Sequence, residues 1–338
     1  MKKLLSILLT FILCIASICV VGCSNNEQKE TVSVKYFATA SDMIPMLKQG
    51  ILNIGLLPEP AATQLTKVAS DKTWYRIDLQ ELYDNESKAY PQAVMLVKQS
   101  VLNSFPNLVN NMANAFSDNV QWVKNNTTLA VDAVNSHIQE GVTPSLKAAN
   151  ITSDVIDGCK IYWQGANDAK DDVKDYIKDI MSIESKSAKA ITDDFFYNGE
   201  SVGEFSGDTI KVIAPDGAPA LAIAKFINDN ENFGTGKNFS YTVVAATNIG
   251  GAVQQGQGDI VIIPVNAASK LYKANTSDTY KLVSVVTHGN LYIMSTKKIQ
   301  SIKELKDKTV GVIGQGNVPD LTFKAVISKQ GMATLIAE

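Results

Sequence analysis

The chain has 338 residues, 45% of them hydrophobic and 19% charged, with a formal net charge of −3. That length supports two domains and a sizeable core, and that composition excludes a disordered or fibrous chain. The acidic balance, with no basic stripe interleaved with aromatics, argues against a nucleic-acid partner, and Arg76 is the only arginine among 31 basic residues.

The first element reads as a targeting signal or a membrane anchor. "MKK" is a short positive start, Leu4 to Val21 form an almost unbroken apolar run, and Gly22 and Cys23 precede polar "SNNEQKE". An apolar run of this length reads as a transmembrane helix or as a signal sequence. Branched apolar residues followed by Gly and Cys resemble the lipobox of bacterial lipoproteins. The resemblance implies a signal peptide over 1–22, a diacylated Cys23 and a lipid-anchor linker over 23–30, on the extracytoplasmic face of a bacterial cell membrane. Two acyl chains suffice for stable anchoring, at about 0.8 kcal/mol per buried methylene. Cys14 and Cys19 then leave with the signal. Cys159 remains alone, without a disulfide partner, and is expected to be a small buried hydrophobe rather than a nucleophile.

Residues 31–95 alternate strand and helix signals. "VSVKYF" is β-branched and aromatic, and "SDMIPMLKQG" opens on Ser41 as a candidate N-cap and closes on Gly50. "ILNIGLLPE" is apolar, "PAATQLTKVAS" carries Pro60 in a first helical turn, and "WYRIDLQEL" and "YPQAVMLVK" are further strand candidates. From Val101 to Asn198 the pattern is mostly helical, with Leu108, Met112, Phe116 and Val120 at helical spacing, then Val173, Ile177 and Ile180. The acidic run there lacks calcium-loop spacing and is expected to be a solvated face, with Asp171–Lys174 and Asp175–Lys178 as i,i+3 pairs. "YNGESVGEFSGD" (197–208) has linker composition. After it, "TIKVIAP", "PALAIAKFIND", "FSYTVVA", "NIGGAVQQG", "DIVIIPV", "NAASKLYKA" and "YKLVSVVTHGNLYIMST" resume the alternation, which predicts mostly parallel sheets with helices on both faces.

The end of the chain breaks this regularity. "KTVGVIGQG" reads as a strand and "VPDLTFKAVISKQG" as a crossover helix, which should feed a parallel strand, yet only "MATLIAE" remains. Joined to residue 31, the tail runs into "TVSVKYF", and the polar leader joins equally well to "SVGEFSGDTIKVIAP". The order 1–30, 201–338, 31–200 is locally more consistent than the order given. "VSVKYF" (32–37) and 309–313 are therefore expected in one parallel sheet, with Thr31 beside Glu338.

In that rotated order the chain resembles the substrate-binding lipoproteins of ABC importers, in the group that binds nitrate, sulfonates, taurine and thiamine-pyrimidine precursors. The resemblance rests on "PDGAPALAIAKF", "AVQQGQGDIVIIPVNAA", "LYIMSTKKIQSIKELKDKTVGVIGQGNVPDLTFK", "ASDMIPMLKQGILNIGLLPEPAA" and "YPQAVMLVK". It covers nearly all of the mature chain and is weakest over 125–200. It implies a circularly permuted, two-lobed α/β fold of the type II periplasmic-binding-protein kind. One lobe would be continuous over 93–291, including helical 101–198 and linker 199–208. The other would combine 31–92 with 292–338, and "HGNLYIMST" and "YPQAVMLVK" would cross between them.

The same resemblance implies a monomer that captures a small organic molecule between the lobes and delivers it to an ABC permease, without cofactor or metal. Gly217, Ala218, Pro219, Thr247, Asn248, Val265 and Asn266 would line one lobe. Asn290, Tyr292, Tyr90 and Glu59 would lie near the crossovers, with Gly316, Asn317 and Asp320 on the other lobe. Pro219 and the glycines serve turns and helix starts as readily as a ligand, and Glu59 before Pro60 is as readily a solvated carboxylate. His288 is expected to be structural. Helix N-termini after "APDG", "IGQGN", "IPV" (with Asn266 as N-cap) and "LPE" offer convergent backbone donors.

Arg76 in "YRIDL" is expected to pair with Asp78 at the surface, and a free Glu59 would repel anions and favour a neutral or zwitterionic ligand. Enzyme readings are weak. His137 and His288 are the only histidines. "FGTGKNF" lacks the first glycine and the Ser/Thr of a phosphate loop, and "GQGNVPD" lacks the third glycine of a dinucleotide fingerprint. The alternatives are a lipid-anchored sensor without transport and a pyrimidine-metabolism enzyme of related fold.

Overall fold

The computed structural model describes residues 30–83, 90–273 and 279–337, so the signal peptide, Cys23 and its linker up to residue 29 lie outside the described residues. The strands are β1 (Thr31–Phe37), β2 (Ile54–Pro58), β3 (Tyr75–Asp78), β4 (Pro91–Lys98), β5 (Ile161–Gly165), β6 (Thr209–Pro215), β7 (Asn238–Val244), β8 (Ile260–Pro264), β9 (Tyr280–His288), β10 (Leu291–Ser295), β11 (Thr309–Ile313) and β12 (Ala333–Ile336). They form two six-stranded sheets, ordered β12-β1-β11-β2-β10-β3 and β5-β9-β4-β8-β6-β7. The chain passes between them through the segment after β3 and again through Gly289 and Asn290, which join β9 to β10.

The fold is mixed α/β, and the first sheet is mostly parallel, with three of its five strand pairs parallel, whereas the second has two of five. β12, β1, β11 and β2 run parallel while β10 opposes both β2 and β3. β7, β6 and β8 run parallel, whereas β4 opposes β8 and β9, and β9 opposes β5. The reason is connectivity. β4 and β10 are entered from the other sheet instead of through a crossover helix on their own, so they arrive reversed.

β1 and β11 pair directly in parallel from Ser33↔Thr309 to Phe37↔Ile313, as the rotated order requires. The tail itself needs a correction. Residues Ala333–Ile336 are a strand, so β11, the helix Val318–Lys329 and β12 complete a β-α-β unit with β1 inserted in its middle. Gly331, at φ 77°, turns the chain, and the unpaired edge of β1 supplies the partners that a short apolar tail takes up. Glu338 lies outside the described residues. Ile336 stands opposite Val34 and Ala337 N donates to Val34 O at 2.8 Å, whereas Thr31 stands opposite Ala333.

Local choices follow from capping chemistry. The helix Ala40–Gln49 is capped by Thr39 and Asp42 in a reciprocal box, not by Ser41, and ends on left-handed Gly50. "WYRIDLQEL" divides into β3 and the helix Leu79–Tyr83 because Asp78 Oδ1 accepts the Gln80 N–H at 2.9 Å. Lys170 and Lys174 both meet Asp193.

One core unites the sheets. Val34, Val94, Ile263 and Val312 belong to a single buried cluster. The helices Ala166–Ile183 and Val318–Lys329 pack on each other, with Tyr176 Oη and Thr322 Oγ1 at 2.8 Å. Close approach is set by glycines. A Cβ on Gly311 would lie 2.4 Å from Leu52 Cδ2 and 2.8 Å from Met43 Sδ, both flexible ends. A Cβ on Gly289 would lie 2.5 Å from Tyr90 Cε1 and 2.6 Å from Gln80 Cγ, where a stacked ring cannot give way. Gly289→Ala should therefore cost about 1–3 kcal/mol and Gly311→Ala less. Urea midpoints at constant m-value measure both.

Candidate functional site

Strand register fixes where the site can be. Pro58, the last residue of β2, stands opposite Leu291, the first residue of β10. Pro264, the last residue of β8, stands opposite Ala93, and Pro91 stands opposite His288 at the end of β9. The carboxyl end of β2 therefore abuts Leu291, and that of β8 lies one strand, β4, away from the end of β9 at His288. β1 and β11, parallel to β2, and β6 and β7, parallel to β8, end on the same sides. In open α/β sheets a ligand lies beyond these ends.

Glu59 follows β2 and is buried. Its Oε1 accepts from Arg76 Nη1 at 2.5 Å and Thr63 Oγ1 at 2.8 Å, and its Oε2 accepts from Thr63 N at 3.1 Å. The β3–β10 pairing sets Arg76 diagonal to Tyr292, and its guanidinium carbon lies 3.3 Å from that ring's centroid. Tyr292 Oη donates to Gly158 O at 3.3 Å. Two expectations change here. Arg76 pairs with Glu59 and not with Asp78, and Glu59 is neutralised instead of standing free to repel anions.

Asn290 is fully buried, donating from Nδ2 to Glu59 O at 3.4 Å while its own carbonyl accepts Glu59 N at 3.0 Å. Buried Gln80 accepts Leu291 N at 3.0 Å and the Tyr90 hydroxyl at 3.3 Å, and Tyr90 stacks on Tyr176 at 5.4 Å. Burial pushes the Tyr90 hydroxyl well above its ordinary range.

Asn266 sits inside the helix Val265–Leu271, capped by Pro264, so it is not the N-cap. Its Nδ2 donates to Ser187 O at 3.3 Å and to Gly316 O at 3.2 Å, tying this helix to the loop after β11. Asp320 is fully buried but committed. It accepts from Tyr36 Oη at 2.9 Å, Gly316 N at 2.8 Å and Lys324 Nζ at 2.9 Å. Burial and then the Asp320 charge push Tyr36 up to about 12. Asn317 precedes the helix Val318–Lys329 without a side-chain cap bond.

The remaining predicted residues are more scattered. Ala218 and Val265 are buried in the two main apolar clusters. Gly217 takes φ 110° at the turn after β6, and Pro219 is half-buried in the helix that follows. Thr247 and Asn248 are exposed and bond each other at 3.3 Å. Beside Gly217, Asp216 accepts Ser145 N at 2.7 Å through Oδ2, and burial raises its carboxyl.

The most informative feature is a set of buried polar atoms without a hydrogen-bond partner among the described residues. Asn266 Oδ1, Asn290 Oδ1, Gln92 Oε1, Thr287 Oγ1 and His288 Nδ1 all belong to the strand ends and passage just described. Buried polar groups are normally satisfied, so each of these atoms calls for a partner, as do Asn135 Oδ1 and Asp216 Oδ1 elsewhere in the chain. Gln92 and Thr287 were missed from sequence, although each is a polar residue inside an apolar crossing segment. His288 is buried, stacks on Tyr162 with centroids 3.5 Å apart, and bonds Gln164 Oε1 through Nε2 at 3.1 Å. Desolvation lowers its pKa to about 3. Two small surface recesses, beside Asp179 and Lys329 and beside Phe105 and Phe233, lie away from this seam.

No protein-family profile matches the chain. No curated protein matches it either. Among solved structures it is similar to the oligopeptide-binding protein AppA from Bacillus subtilis in complex with a nonapeptide, at 8% identity and a TM-score of 0.30. That alignment covers 80% of this chain, which spans 57% of the length of that structure.

Removing the arginine should be costly. Arg76→Met leaves the buried Glu59 carboxylate unpaired and should lose about 2–3 kcal/mol, less than for a fully buried pair because Arg76 is partly exposed. Adding Glu59→Gln should recover most of that in denaturant titrations. His288 is held neutral when folded, so the unfolded chain takes up a proton first as pH falls. Its contribution is fully present above about pH 6.5 and declines toward about 3, by up to about 1.4 kcal/mol per pH unit. His288→Gln should flatten stability against pH across that window.

Proposed function

We propose that the chain is a solute-binding protein that takes a small organic molecule into the seam between its two sheets and passes it to an ABC importer. The observation that carries this reading is the group of buried polar atoms without a hydrogen-bond partner among the described residues, one each on Asn266, Asn290, Gln92, Thr287 and His288. They stand near the carboxyl ends of β2 and β8. A molecule seated there would supply the missing hydrogen bonds, and the two-residue passage Gly289–Asn290 is the natural hinge for admitting it. The resemblance of the sequence motifs, in rotated order, to those of importer-binding lipoproteins supports the same role, and the direct β1–β11 pairing agrees with that order.

Binding without chemistry is the reading for the whole site. The thiol of Cys159 is buried and burial pushes it far up, which disarms it as a nucleophile. Among the described residues, no group of three or more His, Cys, Asp or Glu side chains could hold a metal ion, and no helix is long and apolar enough to cross a membrane. Tethering through a lipidated Cys23 at the extracytoplasmic face is proposed from the lipobox alone.

Native mass spectrometry of the protein purified from the cells that make it should show a bound small molecule, released unchanged on denaturation. Release of a converted product would replace binding with catalysis. Cys23→Ala should move the protein from the membrane fraction to the soluble fraction. Retention in the membrane would remove the lipid tether.

A further inference from the structure

Resting on the lipid tether proposed above, we infer that the end of the first sheet opposite the junction docks on an anionic membrane surface, through exposed lysines of the segment between β10 and β11. The register of the strands defines that end. Ser295, the last residue of β10, stands opposite Ile54, which opens β2, and Tyr75, which opens β3. β1, β11 and β12 run parallel to β2, so Thr31, Thr309 and Ala333 open their strands at the same end. The chain toward Cys23 therefore leaves the sheet there. Cys23 precedes Thr31 by eight residues, a reach of at most about 28 Å. A lipid on Cys23 would hold this end, and not the junction, nearest the bilayer.

What this end presents is basic. Residues 297–308 carry five lysines against two carboxylates, Glu304 and Asp307, in a chain whose net charge is −3. Glu304 is committed inside the segment, where its Oε1 accepts Gln300 N at 3.0 Å and Ser301 N at 3.1 Å. Lys297, Lys298, Lys303 and Lys308 are exposed and have no ion-pair partner among the described residues, whereas Lys98, Lys225 and Lys324 elsewhere each reach a carboxylate.

The segment is fixed to its neighbours, so its charge is held in place. Asp307 N donates to Thr31 O at 2.9 Å, Ser33 N to Lys308 O at 2.9 Å and Thr296 N to Asn53 O at 3.3 Å. Buried Ile302 and Leu305 anchor its middle. Close to Asn53 in the chain, Ile51 is 61% exposed, and Tyr75 is 39% exposed at the start of β3. Exposed lysines with an aliphatic and an aromatic side chain at the same end match the headgroup layer of a bilayer, where basic groups meet phosphates and amphipathic rings sit at the boundary. Each lysine held at an anionic surface strengthens attachment about fivefold, so the four add to the hold of the acyl chains.

The test uses the full-length lipidated protein on vesicles of phosphatidylcholine, with or without about 30 mol% phosphatidylglycerol. A dye on Gln300→Cys reports approach to a quencher carried on the lipid headgroups. A dye on Ser240→Cys, exposed on β7 of the second sheet, serves as the distant reference. Cys159 is buried and does not compete for the dye. The inference is supported if quenching at the Gln300 position exceeds that at the Ser240 position about threefold or more on the anionic vesicles. That excess should vanish when Lys297, Lys298, Lys303 and Lys308 are all changed to Gln, and on raising salt from about 0.05 to about 0.5 M. The salt step needs no variant, so it decides the matter even where the fourfold variant fails to fold. Protein held on both kinds of vesicle, with quenching at the Gln300 position indifferent to lipid charge, overturns the docking surface and leaves the tether standing. Protein held on the anionic vesicles alone overturns the tether and leaves the docking surface standing. Protein held on neither overturns both.

Discussion

Everything about the proposed site depends on one constraint, that a buried polar group must find a partner. The passage from β9 to β10 is only two residues long, Gly289 and Asn290, and it forces the ends of both sheets against each other. Side chains that would be solvated at the end of an isolated sheet become buried. Some are satisfied locally, as Asp320 is by Tyr36, Lys324 and the Gly316 N–H. Others, Asn266 and Asn290 among them, are satisfied on one side only. An unmet buried acceptor costs about 1–3 kcal/mol, and several together are stable only where the rest of the core carries them. That core is extensive and runs through both sheets and the packed helices Ala166–Ile183 and Val318–Lys329.

Charge at the junction is arranged to be neutral. Glu59 alone would be a buried carboxylate, and its pairing with Arg76, itself laid over Tyr292, removes it as a charge a ligand would feel. What faces the junction is a set of amide, hydroxyl and imidazole groups in place of an unpaired charge. The same pair links β2 to β3, which lie on either side of β10, and Tyr292 of β10 reaches Gly158 beside the second sheet.

Much of the fold was legible in the sequence because β-branched runs, glycine stops and helical spacing are local signals. "VSVKYF", "DIVIIPV" and "KTVGVIGQG" become β1, β8 and β11, and the order problem at the tail pointed to β1 and β11 as partners. What was not legible depends on distant partners. The tail strand β12 exists because β1 has an open edge, which no feature of "MATLIAE" announces. Arg76 was assigned to Asp78 because they are near in sequence, whereas strand pairing delivers it to Glu59. Thr247 and Asn248 carry a motif resemblance yet lie exposed, while Gln92 and Thr287 are at the junction without any motif. Polar residues interrupting otherwise apolar strands were the signal that could have found the latter two.

The most direct test of the central claim is a crystal structure of the protein purified from the cells that make it, without added ligand. The account predicts density for a small organic molecule within hydrogen-bond distance of both Asn266 Oδ1 and Asn290 Oδ1. A seam closed by protein side chains that satisfy those two oxygens themselves would contradict it.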